Sequence, residues 1–176
     1  LGALQATSVP KSTVFLNDKE VGKTPYYDEK LAIGEYTLRL TSDVPSVNSQ
    51  WQAKVKIIPR VLTVVSRDLG PSELLSSGHI ISLEQLPDAQ KSEISVISTP
   101  TGAQVNIDSN PIGQTPVSQT NVKQGEHSID ISLVGYKSRS VRIQTVLGYR
   151  LMLNVQLAQA LLDQTSGNEA SASAQL

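Results

Sequence analysis

Apolar and polar residues alternate with a period of two through most of the chain. Val14 and Leu16, Tyr36, Leu38 and Leu40, Val105 and Ile107, and His127, Ile129 and Ile131 each mark one side of an extended segment. That spacing predicts half-buried strands. Further strands are expected over 52–58, 61–67, 140–144 and 151–157. Asn17-Asp18-Lys19 and Asp108-Ser109-Asn110 carry turn chemistry between them. Thr24-Pro25 and Thr115-Pro116 cannot lie in a central strand, because proline has no N–H to give to a ladder. They mark an exit onto an edge or a loop. The segment 155–163 extends the last strand or turns into a short helix.

The pattern occurs twice. Val21-Gly22-Lys23-Thr24-Pro25 is answered by Ile112-Gly113-Gln114-Thr115-Pro116, and Gly34-Glu35-Tyr36 by Gly125-Glu126-His127. Gly22 to Gly113, Thr24 to Thr115 and Gly34 to Gly125 are all 91 residues apart. Two copies of one small fold account for this better than a single domain of 176 residues. The expected organisation is a first β-sandwich over 1–68, a connector over 69–91, a second β-sandwich over 92–158 and a flexible tail over 159–176. Ile81 and Leu83 alternate weakly, so the connector is expected to pack in part and to add one strand over 79–86. Its polar character predicts a modest interface between the halves, or none.

Composition narrows the function. Fifteen basic residues against sixteen acidic ones leave no electrostatic footprint for nucleic acid. The chain has no cysteine, which removes thiol catalysis and thiolate metal sites. No apolar run approaches the roughly 18 residues of a membrane span. The chain begins Leu1-Gly2-Ala3-Leu4. It reads as a fragment or a mature chain, and an anchor is expected outside it.

The candidate chemistry is sparse. Gly22-Lys23-Thr24 lacks the earlier glycine of a phosphate loop, since that position is Asn17. The run from Asn106 to Asn110 starts like a calcium loop but has Pro111 for the glycine and Val117 for the glutamate. His79 and His127 have no partner at metal-like spacing. Asp28 and Glu29 are adjacent and point apart if extended. No catalytic residue, metal or cofactor is therefore assigned. The aromatic residues are the candidate ligand-binding set: Tyr26, Tyr27 and Trp51. Trp51, like Tyr36, is a strand residue and suits the core. Of Tyr26 and Tyr27, one must face away from the sheet if the segment is extended. The second copy replaces that pair with Val117-Ser118.

A strand, a polar tip, a hydrophobic-Gly-x-Thr-Pro and a Gly-x-[Tyr/His] opening the next strand together resemble the PEGA domain. The second copy is the fuller match, with Pro100-Thr101-Gly102-Ala103-Gln104-Val105 leading in, then Asp108, Gly113, Thr115, Pro116, Gly125 and Gly135-Tyr136. The first copy keeps Gly22, Thr24, Pro25 and Gly34 but lacks the Gly-Ala pair and the Gly-Tyr. These residues are expected to be architectural. The resemblance implies an all-β fold of two tandem, small, transthyretin-like sandwiches. It also implies an extracytoplasmic setting in the cell envelope or at the cell surface, and a binding or structural role rather than catalysis. The expected partner is an envelope protein. The alternative is a cell-wall polysaccharide held by exposed aromatics.

Overall fold

The two polar tips are two-residue hairpin turns with both residues at positive φ. Asn17 and Asp18 lie at 49° and 64°, and Asp108 and Ser109 at 49° and 68°. This is the type I′ geometry, whose twist matches that of the flanking strands and which favours Asn and Asp. In a computed structural model that describes residues 1–45 and 49–161, these turns join β2 (Ser12–Leu16) to β3 (Lys19–Lys23) and β10 (Gln104–Ile107) to β11 (Asn110–Gln114). Each hairpin carries one register shift, opposite Val14/Phe15 and Val105/Asn106. The residue that follows each bulge is Gly22 or Gly113, and Gly113 has φ 134°. A side chain at that φ is strained, which is why the motif needs glycine there.

Thr-Pro follows each hairpin and carries the chain from one sheet to another. In the first half β2 and β3 join β5 (Gly34–Ser42) and β6 (Gln50–Ile57) in the order β3-β2-β5-β6. The strand after Pro25, β4 (Tyr26–Leu31), pairs instead with β1 (Gly2–Val9), which lies parallel to β7 (Leu62–Asp68). The second half repeats this order. Its sheet β11-β10-β13-β14 uses β13 (Gly125–Ser132) and β14 (Arg139–Thr145), while β12 (Val117–Gln119), β9 (Ser92–Thr99) and β15 (Tyr149–Gln156) form the other layer. The fold is all-β, and among the described residues the one helical element is a 3-10 turn at Glu73–Leu75.

The connector changes the architecture. Its strand, β8 (Ser77–Gln85), pairs antiparallel with β7 on one side and with β15 on the other. The result is one seven-stranded sheet in the order β12-β9-β15-β8-β7-β1-β4. The expectation of little or no interface between the halves is thus corrected, because main-chain hydrogen bonds run across the junction. Ile80 packs on the first core, with Leu4, Leu38, Leu40, Ile57 and Val65. Its neighbours Ile81 and Leu83 pack on the second, with Ile94, Ile129, Ile131 and Leu153. Successive strand residues face opposite sides. The two four-stranded sheets therefore cover opposite faces of the shared sheet.

Two further expectations need amending. β1 and β9 belong to neither set of expected strands, yet they lie inside the shared sheet. The last strand stops at Gln156, no helix follows it among the described residues, and Gln159 makes an isolated bridge to Tyr136. The tail over 162–176 lies outside the described residues.

Candidate functional site

Strand alternation separates the three candidate aromatics. Tyr26 pairs with Ala6 and packs on the first core, its hydroxyl 3.4 Å from Asp28 Oδ2. Burial and the Asp28 charge raise its pKa. Tyr27, the next residue along β4, faces the other way and is 59% exposed. Trp51 is half-buried against the first core, on the side of the sheet that Tyr26 faces. Tyr27 and Trp51 therefore lie on opposite sides of the sheet and form no common surface.

Trp51 belongs instead to the junction. The Arg67 guanidinium stacks over its ring at 4.6 Å. Arg67, Gly78 and Gln156 stand side by side on β7, β8 and β15. A Cβ at position 78 would sit 2.7 Å from Arg67 Nη1, so the glycine makes room for the guanidinium to reach across β8. Nη2 then donates to Gln156 Oε1 at 2.5 Å. Arg67 is only 3% exposed, and among the described residues its Nε has no hydrogen-bond partner. Burial, followed by the nearby Arg139 charge, pulls its pKa down to about 10. Trp51 and Arg67 line an open cleft of about 580 Å³ with Gln50, Gln52, Glu73 and Ser76.

The opposite face carries a polar cluster at the same end of the sheet. Arg139, the first residue of β14, donates to His79 Nδ1 at 3.0 Å, to Asp68 Oδ2 at 3.0 Å and to Ser77 Oγ at 3.2 Å. Burial and the Arg139 charge push the His79 pKa down to about 4. A second open cleft, about 730 Å³, lies at the other end of β8 between Lys56, Arg60, Glu84, Tyr149 and Met152. Among the described residues no group of three or more His, Asp or Glu side chains is placed to hold a metal ion. No helix there is long and apolar enough to cross a membrane.

The motif residues form hydrogen-bond nodes. Thr115 is buried, and its hydroxyl accepts from the Ala103 N–H at 3.0 Å and meets Ser98 Oγ at 2.6 Å. Thr24 does the same with the Ser12 N–H at 2.9 Å and Ser8 Oγ at 2.7 Å. Each threonine thus ties the crossing point to the first two strands of its half. Gly34 and Gly125 open β5 and β13. Gly135 and Tyr136 hold the segment after β15, since the Gly135 carbonyl accepts from the Ala160 N–H and Tyr136 packs on the second core. Sequence reasoning missed Arg67, Gln156, Arg139 and His79 as a junction. They are far apart in sequence, and only the pairing of β8 brings them together.

Residues 91–160 match the PEGA domain family, so the second half holds a PEGA domain. The match covers β9 to β15. No curated protein matches the chain.

Proposed function

We propose that this chain is a non-enzymatic module of an extracytoplasmic protein, in which two PEGA-type sandwiches are joined as one rigid spacer and protein-interaction unit. PEGA domains are generally found in extracellular or periplasmic proteins. The first half has the same strand order and the same Thr-Pro node as the matched half, and we assign it as a diverged second copy. The observation that carries the reading is β8, paired along both edges. Domains meant to reorient are joined by exposed linkers rather than by a shared ladder.

The test uses the absence of native cysteine. Spin labels at Glu29→Cys and Thr120→Cys sit at β4 and just beyond β12, the two outer strands of the shared sheet. Six strand spacings of about 4.8 Å predict a single narrow distance near ~30 Å. A broad or bimodal distribution would overturn the rigid unit.

The alternative, polysaccharide binding, narrows to one ring. Tyr27 is the candidate aromatic that stands free of the core. Retention on cell-wall sacculi that is lost in Tyr27→Ala favours this reading. Retention unaffected by Tyr27→Ala, or none at all, rejects it.

A further inference from the structure

His127 sits on β13 with a hydrogen-bond acceptor against each ring nitrogen. Nδ1 is 2.6 Å from Asp108 Oδ2, and Nε2 is 2.6 Å from the Lys123 carbonyl oxygen. A carboxylate and a carbonyl can only accept. Both contacts are satisfied at once only if both nitrogens carry a proton. Asp108 is fixed from a second direction, because its Oδ1 accepts from the Ser128 N–H at 2.9 Å. The Lys123 carbonyl is fixed too, by Thr145 Oγ1 at 2.8 Å. The imidazole thus bridges the β10–β11 turn and the loop that leads into β13.

The first half has the counterpart residues but two separate hydrogen bonds in place of the pair. Tyr36 stands where His127 does, and its hydroxyl donates to the Ala32 carbonyl, four residues back, at 3.0 Å. Asn17 stands where Asp108 does, and its Oδ1 accepts from the Thr37 N–H at 2.9 Å. Neither contact involves an ion pair.

We propose that His127, held as an imidazolium between Asp108 and the Lys123 carbonyl, is a pH-gated strap that the second half possesses and the first half lacks. Loss of one proton leaves a lone pair facing an acceptor at 2.6 Å, and that contact turns from attraction to repulsion. The strap then opens and frees the 120–124 loop from the turn. The charged groups acting on the ring are Asp108 and Lys123, while Glu126 and Arg142, the last from β14, line the shallow pocket beside it.

Partial burial pulls His127 down, but the Asp108 hydrogen bond, the Lys123 carbonyl and the Asp108 charge outweigh it, so its pKa is raised above 6.5. The His127 contribution is complete below 6.5 and is lost as pH rises through the folded value. Asp108 is lowered below 3.8, chiefly by the His127 hydrogen bond and then by the Ser128 N–H. Its contribution is complete above 3.8 and is lost as pH falls through the folded value. The strap is therefore fully closed between pH 3.8 and 6.5, and it opens only where pH rises through the folded His127 value above 6.5 or falls through the folded Asp108 value below 3.8.

Nitrogen-resolved NMR of the imidazoles in the full chain tests this. His127 should show protons on both ring nitrogens at pH 6 and a midpoint above 6.5. The amides of Lys123, Gln124 and Ser128 should shift with the same midpoint. Asp108→Asn keeps the acceptor that Asn17 provides, and should bring the midpoint below 6.5. His127→Tyr, which rebuilds the first half's version, should abolish the amide titration while leaving the fold intact. A wild-type midpoint at or below 6.5, an unchanged midpoint in Asp108→Asn, or amides that ignore the titration would each overturn the proposal. His79 stays neutral down to about 4, so the two imidazoles are resolved by pH as well as by assignment.

Discussion

Arg67 is a buried cation whose acceptor is an amide rather than a carboxylate, and this sets opposite expectations for its removal and for removal of its partner. A hydrogen bond from a charged group to Gln156 contributes about 1.5–3 kcal/mol. Stacking on Trp51 adds roughly 0.5–2 kcal/mol. Against these stands the burial of the ion, an effective cost of several kcal/mol, with Nε–H left unpaired. The lowered pKa of Arg67 reports that penalty from the same direction. The terms nearly cancel. Arg67→Met, which keeps an apolar stem over Gly78 and under Trp51, should change stability by no more than about 1 kcal/mol, or about 2–4 °C in melting temperature. Gln156→Ala removes the acceptor and keeps the charge, and should cost about 2 kcal/mol, or roughly 4–8 °C. In the double variant the Gln156→Ala cost should largely vanish, because no cation remains to be satisfied. Urea unfolding followed by circular dichroism measures all four forms without relying on Trp51, whose fluorescence the guanidinium itself perturbs. Arg67→Met as damaging as Gln156→Ala, or a double variant with the summed loss, would refute the reasoning.

Three other expectations follow from the same contacts. Thr115→Val leaves the buried Ala103 N–H without its acceptor and should cost about 2 kcal/mol, with Thr24→Val behaving alike at the Ser12 N–H; equal melting of either variant and the wild type would contradict the node. Gly113→Val forces a branched side chain to φ 134° with Val117 already 3.4 Å from the new Cβ, and thermal melting should fall by the equivalent of roughly 1–3 kcal/mol. His79 titrates near 4 in the fold against 6.5 unfolded, so its contribution is complete above 6.5 and is lost as pH falls toward 4. Stability should drop over that window by on the order of 3 kcal/mol, and denaturant midpoints of His79→Gln should fall much less between pH 7 and 4.5.

The sequence made the hairpins legible because their chemistry is local. A type I′ turn needs two residues at positive φ, and Asn17-Asp18 and Asp108-Ser109 announce it without help from the rest of the chain. Thr-Pro was legible as an exit for the same reason, although its hydroxyl's role as a buried acceptor was not. β1 and β9 were harder to see. Leu4 and Ala6 alternate with Ala3 and Gln5, so Ala and Gly blur the pattern. The two copies are also offset by 90 residues at Pro10 and Pro100 but by 91 from Val14 and Val105 onward, so the repeat slips where these strands end. The junction was beyond reach. Arg67 and Gln156 are 89 residues apart, and nothing in either neighbourhood shows that β8 will stand between them. His127 was visible as the counterpart of Tyr36, but its pairing with Asp108 depends on the register of β10 against β13.

The direction of the strands has a mechanical consequence. β1 runs parallel to β7, and β7 and β15 both run antiparallel to β8, so β1 and β15 point the same way. Both are interior strands, each flanked by two neighbours. Tension entering at Gly2 and leaving at Gln156 therefore acts along the strands, from one end of the sheet to the other. Under such a load the ladders are sheared, and their hydrogen bonds must yield together rather than one after another from an edge. A segment of this build would hold its length under pull, where two sandwiches on a loose tether would first take up slack.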